Sequence, residues 1–315
     1  MQPAFSVIFF TVFSGAGYGL IAILGVAQLL NLVKLDFGFG IAAFLLALTG
    51  ITVGLLSSTF HLGRPERAWR AVSQWRSSWL AREGVVAILA YGPICLFALI
   101  WLFAPESYGT IMLLVAGLSV LLAIITVYCT AQIYASLKTI RQWHNPWTIA
   151  LYLGLGLSTG GLWFIMLSSV FIGFNIVFIQ VASGLLIISM FINSRYWNAI
   201  DNDVSPSTSA TATGLSDDFI VRQIESPHSQ DNYLLKEMGY VIARKHAHKL
   251  RKITVLTAFI VPVILLLISP FIAVFAANLF IVLAALIGTF GIVLERWLFF
   301  AEARHTVMLY YNNHD

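Results

Sequence analysis

The sequence predicts an all-α polytopic membrane protein with about eight transmembrane helices, and three observations predict this class. Hydrophobic residues make up 59% of the 315 residues and charged residues only 10%, less than half the share in an ordinary soluble domain. The mean hydropathy is +0.86 over the whole length, which excludes a soluble domain with one apolar tail. Apolar runs of roughly 20 residues, each long enough to cross a bilayer as a helix, recur along the chain.

The apolar runs place the predicted spans to within a few residues. They cover Phe5–Leu32, Phe39–Phe60, Val85–Phe103, Thr110–Leu137, Trp147–Val170, Phe171–Ile192, Ile253–Ala276 and Asn278–Phe300. The fifth and sixth spans are nearly continuous, as are the seventh and eighth, so the count could change by one. Gly173 with Asn175, and Ala277 with Asn278, are the predicted turns. The whole chain, residues 1–315, is predicted to be one integral-membrane domain.

The charges predict the direction of the spans. Of the 18 Lys and Arg residues, all except Lys34 lie in or beside the connections after the second, fourth and sixth spans, or at the end of the eighth. The positive-inside rule assigns this side to the cytoplasm of a bacterial inner membrane, and an even number of spans then places both termini there. The pI near 9.1 therefore indicates topology rather than nucleic-acid binding.

One long polar segment, residues 193–252, is predicted to form a cytoplasmic loop. Its first half, 201–215, is rich in Ser, Thr, Asp and Asn and is typical of a flexible linker. Its second half, 231–252, has the apolar spacing of an amphipathic helix with basic residues beyond it. A helix on the membrane surface and a docking element for a cytoplasmic partner both stay open.

Polar residues concentrate between the second and third spans. His61 leaves the second span, Gly63 and Pro65 end the helix, and Glu83 enters the third span. His61 and Glu83 should therefore lie at adjacent helix ends near the cytoplasmic boundary. A quinone site needs an apolar slot, hydrogen-bond donors to the carbonyl oxygens and a group that exchanges protons, and these two residues favour such a site.

The same connection carries the other candidate quinone-binding residues. Trp69 offers an aromatic wall, and Arg64, Arg67 and Arg82 supply positive charge and donors. The alternative for the Trp and most of the Arg residues is an interfacial belt that anchors lipid headgroups. No residue is predicted to be catalytic in the sense of acting on a primary substrate.

The remaining histidines raise the alternative of a haem b, with His61, His144 and His246 as candidate ligands. No span carries a histidine at its middle, so histidines that face solvent or a partner are favoured. Near the C-terminus, Glu295 and Glu302 share a helical face, with Arg296 and Arg304 nearby. Ion pairs or contacts to the second–third connection are favoured there over direct catalysis. The small residues of segment 14–19 favour close helix packing over nucleotide binding.

Three motifs resemble the membrane anchor subunits of the dimethyl sulfoxide reductase type. They are His61-Leu-Gly-Arg-Pro-Glu-Arg-Ala-Trp69, Ser78-Trp-Leu-Ala-Arg-Glu83 and Glu295-Arg-Trp-Leu-Phe-Phe-Ala-Glu-Ala303. The resemblance implies a quinone-reactive anchor for an iron–sulfur subunit and a molybdopterin catalytic subunit, which hold those cofactors. It also implies quinone-site roles, for ubiquinone or menaquinone, at His61, Gly63, Arg67 and Glu83.

The orientation narrows the expected reaction. The elaborate basic loops face the cytoplasm and the outer loops are too short to hold a large partner, so a cytoplasmic catalytic pair is expected. In this respect the chain resembles the sulfite-oxidising (sulfite dehydrogenase) complexes, with dimethyl sulfoxide reduction as the second expectation. A secondary transporter is the alternative from another class, although it would place ionisable groups near the bilayer midplane.

Overall fold

The computed structural model describes residues 3–61, 64–104, 109–203, 207–215, 221, 224–225, 238 and 245–311. Within these residues every regular element is helical, and eight helices are long and apolar enough to cross a membrane. They are α1 (Phe5–Leu29), α2 (Phe37–Phe60), α3 (Trp79–Phe103), α4 (Gly109–Ala135), α5 (Pro146–Phe171), α6 (Ile176–Asp201), α7 (Ala247–Phe271) and α8 (Val274–Ala301). The predicted all-α class and the eight spans are confirmed.

Three helices extend well beyond their apolar runs, and α7, which begins at Ala247 rather than Ile253, is one of them. α3 begins at Trp79 rather than Val85, because the Ser78 side chain accepts a hydrogen bond from the Ala81 amide and caps the helix. Glu83 is therefore inside the first turns of a helix. α6 continues past Ile192 to Asp201.

One of the two predicted turns is correct and the other is wrong. Gly173 adopts a φ of +91°, which glycine tolerates, and Asn175 caps the next helix through Val177. Ala277, in contrast, is buried inside α8. The break lies at the 3₁₀ segment Ser269–Phe271, because Pro270 cannot continue the hydrogen-bond ladder.

The helices α1 and α5 form the centre of the bundle. In their most apolar 18 residues, 78% and 67% are buried, compared with 33% to 44% in the other six spans. Their backbones touch through glycines, since a Cβ on Gly19 would lie 2.0 Å from the Gly156 carbonyl oxygen and one on Gly160 would lie 2.2 Å from the Gly19 carbonyl carbon. The close packing predicted for segment 14–19 is confirmed.

The α4–α5 connection, the ends of α6 and α8 and the start of α7 meet at one end of the bundle. Arg141 binds Asp203 with its Nε 2.7 Å from Oδ2, and the Thr306 amide donates to the Thr139 carbonyl at 3.0 Å. The first turns of α1 and α3 and the end of α2 lie at this same end, since consecutive spans alternate in direction. We call this end the basic face.

Only part of the long polar segment lies in the described residues. Ser209–Ala212, inside the predicted linker, forms a short helix that contacts the C-terminal tail, where the Tyr310 hydroxyl donates to the Ala212 carbonyl at 3.0 Å. The predicted amphipathic helix at 231–252 falls mostly outside the described residues, and from Ala247 onward the chain belongs to α7.

Candidate functional site

The candidate site centres on Glu83, which the sequence predicts and the fold buries. The side chain is 3% exposed and accepts a hydrogen bond from the Thr130 hydroxyl of α4. No Lys or Arg in the described part of the chain forms an ion pair with it. An intramembrane carboxyl held by a hydroxyl rather than by a cation is costly to bury and marks a functional site by default.

Tyr18 of α1 brings a second polar group towards Glu83. Its ring is 2% exposed, and it lies within electrostatic range of Glu83 and Tyr91 and close to Thr126. The Tyr18 hydroxyl makes no hydrogen bond to any described residue, so its donor is available. Tyr91 shares a hydrogen bond of 2.7 Å with Thr52 of α2. Hydroxyl groups thus extend from the carboxyl inward between α1, α2, α3 and α4.

Arg82 precedes Glu83 in sequence but faces away from it. Its Nε donates to the Trp75 carbonyl at 2.9 Å and one Nη donates to the Arg76 carbonyl at 2.7 Å. The guanidinium lies 4.2 Å from the centre of the Trp79 ring. Arg82 therefore closes the loop ahead of α3 rather than neutralising the buried carboxyl.

Arg64, Arg67 and Trp69 lie on or beside the 3₁₀ helix Pro65–Gln74, with exposed side chains. The two arginines each stand 3.9 Å from Glu66, and Trp69 is 70% exposed. None of the three makes a described contact with Glu83. These exposed Arg and Trp side chains fit the alternative of an interfacial belt that anchors lipid headgroups.

The remaining predicted residues are only partly placed. The backbone of His61 ends the 3₁₀ turn Ser58–His61 after α2, while Gly63 lies outside the described residues. His144 is exposed and its Nδ1 is 2.6 Å from the Ala135 carbonyl oxygen, and His246 is exposed at the start of α7. The described residues contain no cluster of three or more His, Cys, Asp or Glu suited to a metal ion. The haem alternative stays a prediction.

A second buried polar cluster lies on α8, where the sequence predicted ion pairs. Glu295 is 0% and Arg296 2% exposed, and the Arg296 Nε lies 2.5 Å from Glu295 Oε2, so this pair is confirmed. The guanidinium carbon lies 4.3 Å from the Tyr152 ring centre and 4.7 Å from that of Phe299. Both Nη atoms, the Glu295 Oε1 atom and the Tyr152 hydroxyl have no hydrogen-bond partner among the described residues.

The other glutamate of that motif joins the basic face. Glu302 accepts from Arg251 at 2.6 and 3.0 Å, and Arg251 also donates to Asp201 at 2.6 and 3.0 Å. The partner is thus Arg251, from the long polar segment, although the sequence placed Arg304 nearby. Proximity in sequence could not find this pair, because 51 residues separate its members.

An aromatic cluster occupies the space between the two polar regions. The Tyr134 and Tyr152 rings stack with their centres 5.5 Å apart, and Tyr134 also contacts Phe299 and Phe300. Tyr134 follows Thr130 by one turn on the same face of α4. It is also within electrostatic range of both Glu83 and Arg296, so it stands between the two clusters.

Eight membrane-crossing helices around buried acidic side chains define a multi-pass membrane protein. More closely, the chain belongs to the family of the DMSO reductase anchor subunit (DmsC), which matches residues 1–301. It is also similar to a subunit of the sulfite dehydrogenase of Allochromatium vinosum, with 32% identity over 333 aligned positions that cover 99% of each chain. The resemblance to anchors of the dimethyl sulfoxide reductase type, and to the sulfite-oxidising complexes among them, is confirmed.

Proposed function

We propose that this chain is the quinone-reactive anchor of a molybdopterin and iron–sulfur oxidoreductase, and that it exchanges electrons between its iron–sulfur partner and membrane quinone. The observation that carries the proposal is Glu83, a buried carboxyl that has a hydroxyl partner and, among the described residues, no cation beside it. Such a group can bind and release a proton inside the membrane, where a quinone needs one at each carbonyl oxygen.

The neighbouring hydroxyls support the same role. Reduction of a quinone takes two electrons from the partner and two protons, one for each oxygen, and forms a quinol. Glu83 would deliver a proton to one oxygen. The Tyr18 hydroxyl, which has no partner at hydrogen-bond distance among the described residues, would donate a hydrogen bond to a carbonyl oxygen of the quinone. Thr130 would hold the Glu83 carboxyl in place. His61 is proposed for the second oxygen, with Gly63, Arg64, Arg67, Trp69 and Arg82 at the entrance.

The proposed direction of electron flow is from sulfite to quinone. It is supported by the similarity to a sulfite dehydrogenase subunit over nearly the full length of both chains. Reduction of dimethyl sulfoxide by quinol is the runner-up, supported by the family description. The whole complex can be assayed for both reactions. If it reduces a quinone analogue with sulfite but does not reduce dimethyl sulfoxide with quinol, the result favours electron flow from sulfite.

The iron–sulfur and catalytic partners are proposed to bind the basic face on the cytoplasmic side of a bacterial inner membrane. Support comes from the 17 basic residues assigned to that side, and from the exposed Arg and Trp residues of Pro65–Gln74. A reporter enzyme fused after Asp315 should then be active in a form that works only in the cytoplasm. Activity of a periplasm-dependent reporter at the same position would contradict this orientation.

The decisive experiment compares two glutamate variants of the whole complex. Glu83→Gln should lower quinone-linked activity by about 100-fold, the usual contribution of one acid–base group, and leave activity with a soluble dye unchanged. Glu66→Gln is the matched control, because its side chain is 60% exposed. Normal quinone-linked turnover in an assembled Glu83→Gln complex would contradict the proposal.

A further inference from the structure

A cavity opens inside the bundle beside Arg296, away from Glu83. It lies between α1, α5 and α8 and has room for about one water molecule. Its polar lining consists of Thr11, Tyr152, Thr159 and Arg296. Thr11 belongs to the π-helical segment Phe10–Ser14, a widened turn of the kind often found at functional sites.

The lining has more donors than acceptors. Two Nη atoms of Arg296 and the Tyr152 hydroxyl are buried without a partner in the described residues. An unsatisfied buried donor is unfavourable, and more so when it is charged. The hydroxyls of Thr11 and Thr159 donate to helix carbonyls at 3.1 and 2.7 Å, so their oxygens can still accept. Water is the molecule that offers both acceptors and donors in so small a polar space.

The cavity connects to the basic face through the acidic side chains of α8. Glu295 pairs with the Arg296 guanidinium and has one oxygen without a partner. Glu302 follows it by seven residues, on the same face of the helix, and binds Arg251. Arg251 in turn holds Asp201, whose side chain is 49% exposed. Acidic side chains thus lie at intervals of about 10 Å or less between the Arg296 side of the cavity and the aqueous surface.

The cavity connects to Glu83 through two tyrosines. Tyr152 lines the cavity and stacks on Tyr134 at 5.5 Å. Tyr134 lies near the end of α4, and its side chain leans towards the start of that helix, into the bundle. Glu83 lies four residues inside α3 and Arg296 five residues from the end of α8, about 6 and 8 Å from the helix ends. The two groups are therefore at similar depth.

We infer that the cavity between α1, α5 and α8 holds ordered water, and that this water supplies protons from the basic face to Glu83 through Glu295, Tyr152 and Tyr134. The inference deepens the proposed function and rests on it. Per quinone reduced, two protons from the aqueous side of the basic face match the two electrons from the partner. Each proton passed to the quinone from Glu83 is replaced through the chain, so no other oxidant or reductant is needed.

The water itself can be tested on the unaltered complex by radiolytic hydroxyl-radical labelling read by mass spectrometry. Labelling requires nearby water, so Tyr152 should be modified although it is only 4% exposed. Phe97 is the internal control, since it is 0% exposed among apolar aromatic side chains. If Tyr152 is labelled no more than Phe97, the cavity is dry and the inference is overturned, whatever Glu83 does.

The route is tested with Tyr152→Phe, which removes one hydroxyl and keeps the ring. Quinone-linked kcat should fall about tenfold, KM for the quinone analogue should stay constant, and the D₂O isotope effect should rise. Tyr128→Phe is the control, since that hydroxyl lies outside the cavity and accepts a hydrogen bond from the Gln132 amide nitrogen at 2.8 Å. An unchanged kcat and isotope effect, or a change in KM alone, would overturn the route. Glu83→Gln reports separately on the proposed function.

Discussion

Glu295 and Glu83 are both buried in the bundle, but they are held in different ways. Glu295 is bound to Arg296, so the charge is matched within one helix turn. Among the described residues, Glu83 is bound by the Thr130 hydroxyl and by no cation. A paired charge is held by its partner, and loss of that partner is severe. A carboxyl that is bound only by a hydroxyl stays free to exchange a proton. The comparison teaches that, among the described residues, Glu295 is matched by a cation on its own helix, whereas Glu83 is held by a hydroxyl from a neighbouring helix.

The largest expected effect is the loss of stability when the Glu295–Arg296 ion pair is broken. Arg296→Met leaves Glu295 buried without its cation, which should lower the free energy of unfolding by about 3–5 kcal/mol. The double variant Glu295→Gln with Arg296→Met should recover much of this loss. Glu83→Gln should cost far less, because it removes no ion pair. Thermal unfolding of the detergent-solubilised complex measures all three, and equal losses in Arg296→Met and Glu83→Gln would contradict the distinction.

The next effect concerns the helix seam that separates the two sites. Gly160→Ala would place its Cβ 2.2 Å from the Gly19 backbone, so α1 and α5 must move apart at a cost of about 1–3 kcal/mol. Gly117→Ala in α4 is the matched control, since nothing lies within 4 Å of its Cβ. That control should be neutral or slightly stabilising. Equal unfolding temperatures for the two variants would show that the seam tolerates separation.

A smaller effect sharpens the role of the hydroxyl beside Glu83. Thr130→Val keeps the shape of the side chain but removes the hydrogen bond, and quinone-linked activity should fall about tenfold, equivalent to about 1.4 kcal/mol. Thr130→Ser retains a hydroxyl and should keep most of the activity. Dye-linked activity should be unchanged in both. If valine and serine behave alike, the hydroxyl does not position the carboxyl.

The smallest effect lies at the C-terminal tail, outside both sites. Burial lowers the pKa of His305 below its ordinary 6.5, and its Nδ1 accepts from the Val307 amide at 3.0 Å. The unfolded tail then binds the proton more readily than the folded tail does. The contribution of neutral His305 to the stability of the folded tail is therefore complete above pH 6.5 and declines as the pH falls below it. The free energy of opening of residues 304–311, measured by hydrogen exchange corrected for the pH dependence of the intrinsic rate, should fall between pH 6.5 and 5 by less than about 1 kcal/mol.

One variant and one neighbouring ion pair distinguish the pH effect of His305 from general unfolding in acid. His305→Asn keeps an acceptor at the helix cap and should remove the pH dependence. The Arg141 guanidinium bound to Asp203 holds the pKa of that carboxyl below its ordinary 3.8, so this pair is lost only in more acid solution. Exchange that rises equally in His305→Asn would contradict the role of the imidazole.

The sequence predicted the all-α membrane class, the eight spans and the position of Glu83 near one end of its helix, because hydropathy depends on composition and on local spacing. It misplaced the α3 start, since the Ser78 cap adds polar residues to a helix whose apolar run begins later. It missed the turn at Pro270, where the apolar run continues through the break.

The sequence could not predict which residues pair across the bundle, and the reason is different. Thr130 and Tyr152 are ordinary residues of apolar spans, and only the packing of α3, α4, α5 and α8 brings them to Glu83 and Arg296. Arg251 is one of several basic residues in its segment, and no local pattern distinguishes it as the partner of Glu302. Spacing along one helix finds neighbours on that helix, whereas these contacts join different helices.

The glycine seam between α1 and α5 also constrains how the chain is made. Of the eight described spans, α1 leaves the ribosome first and has the largest buried share, yet its glycine-lined side is covered by α5, whose first residue is Pro146. During synthesis that side contacts only lipid or the insertion machinery until α5 arrives. We therefore expect α1 to remain beside the insertion channel through the addition of more than a hundred residues, and chains arrested before Pro146 to be the ones that quality control removes.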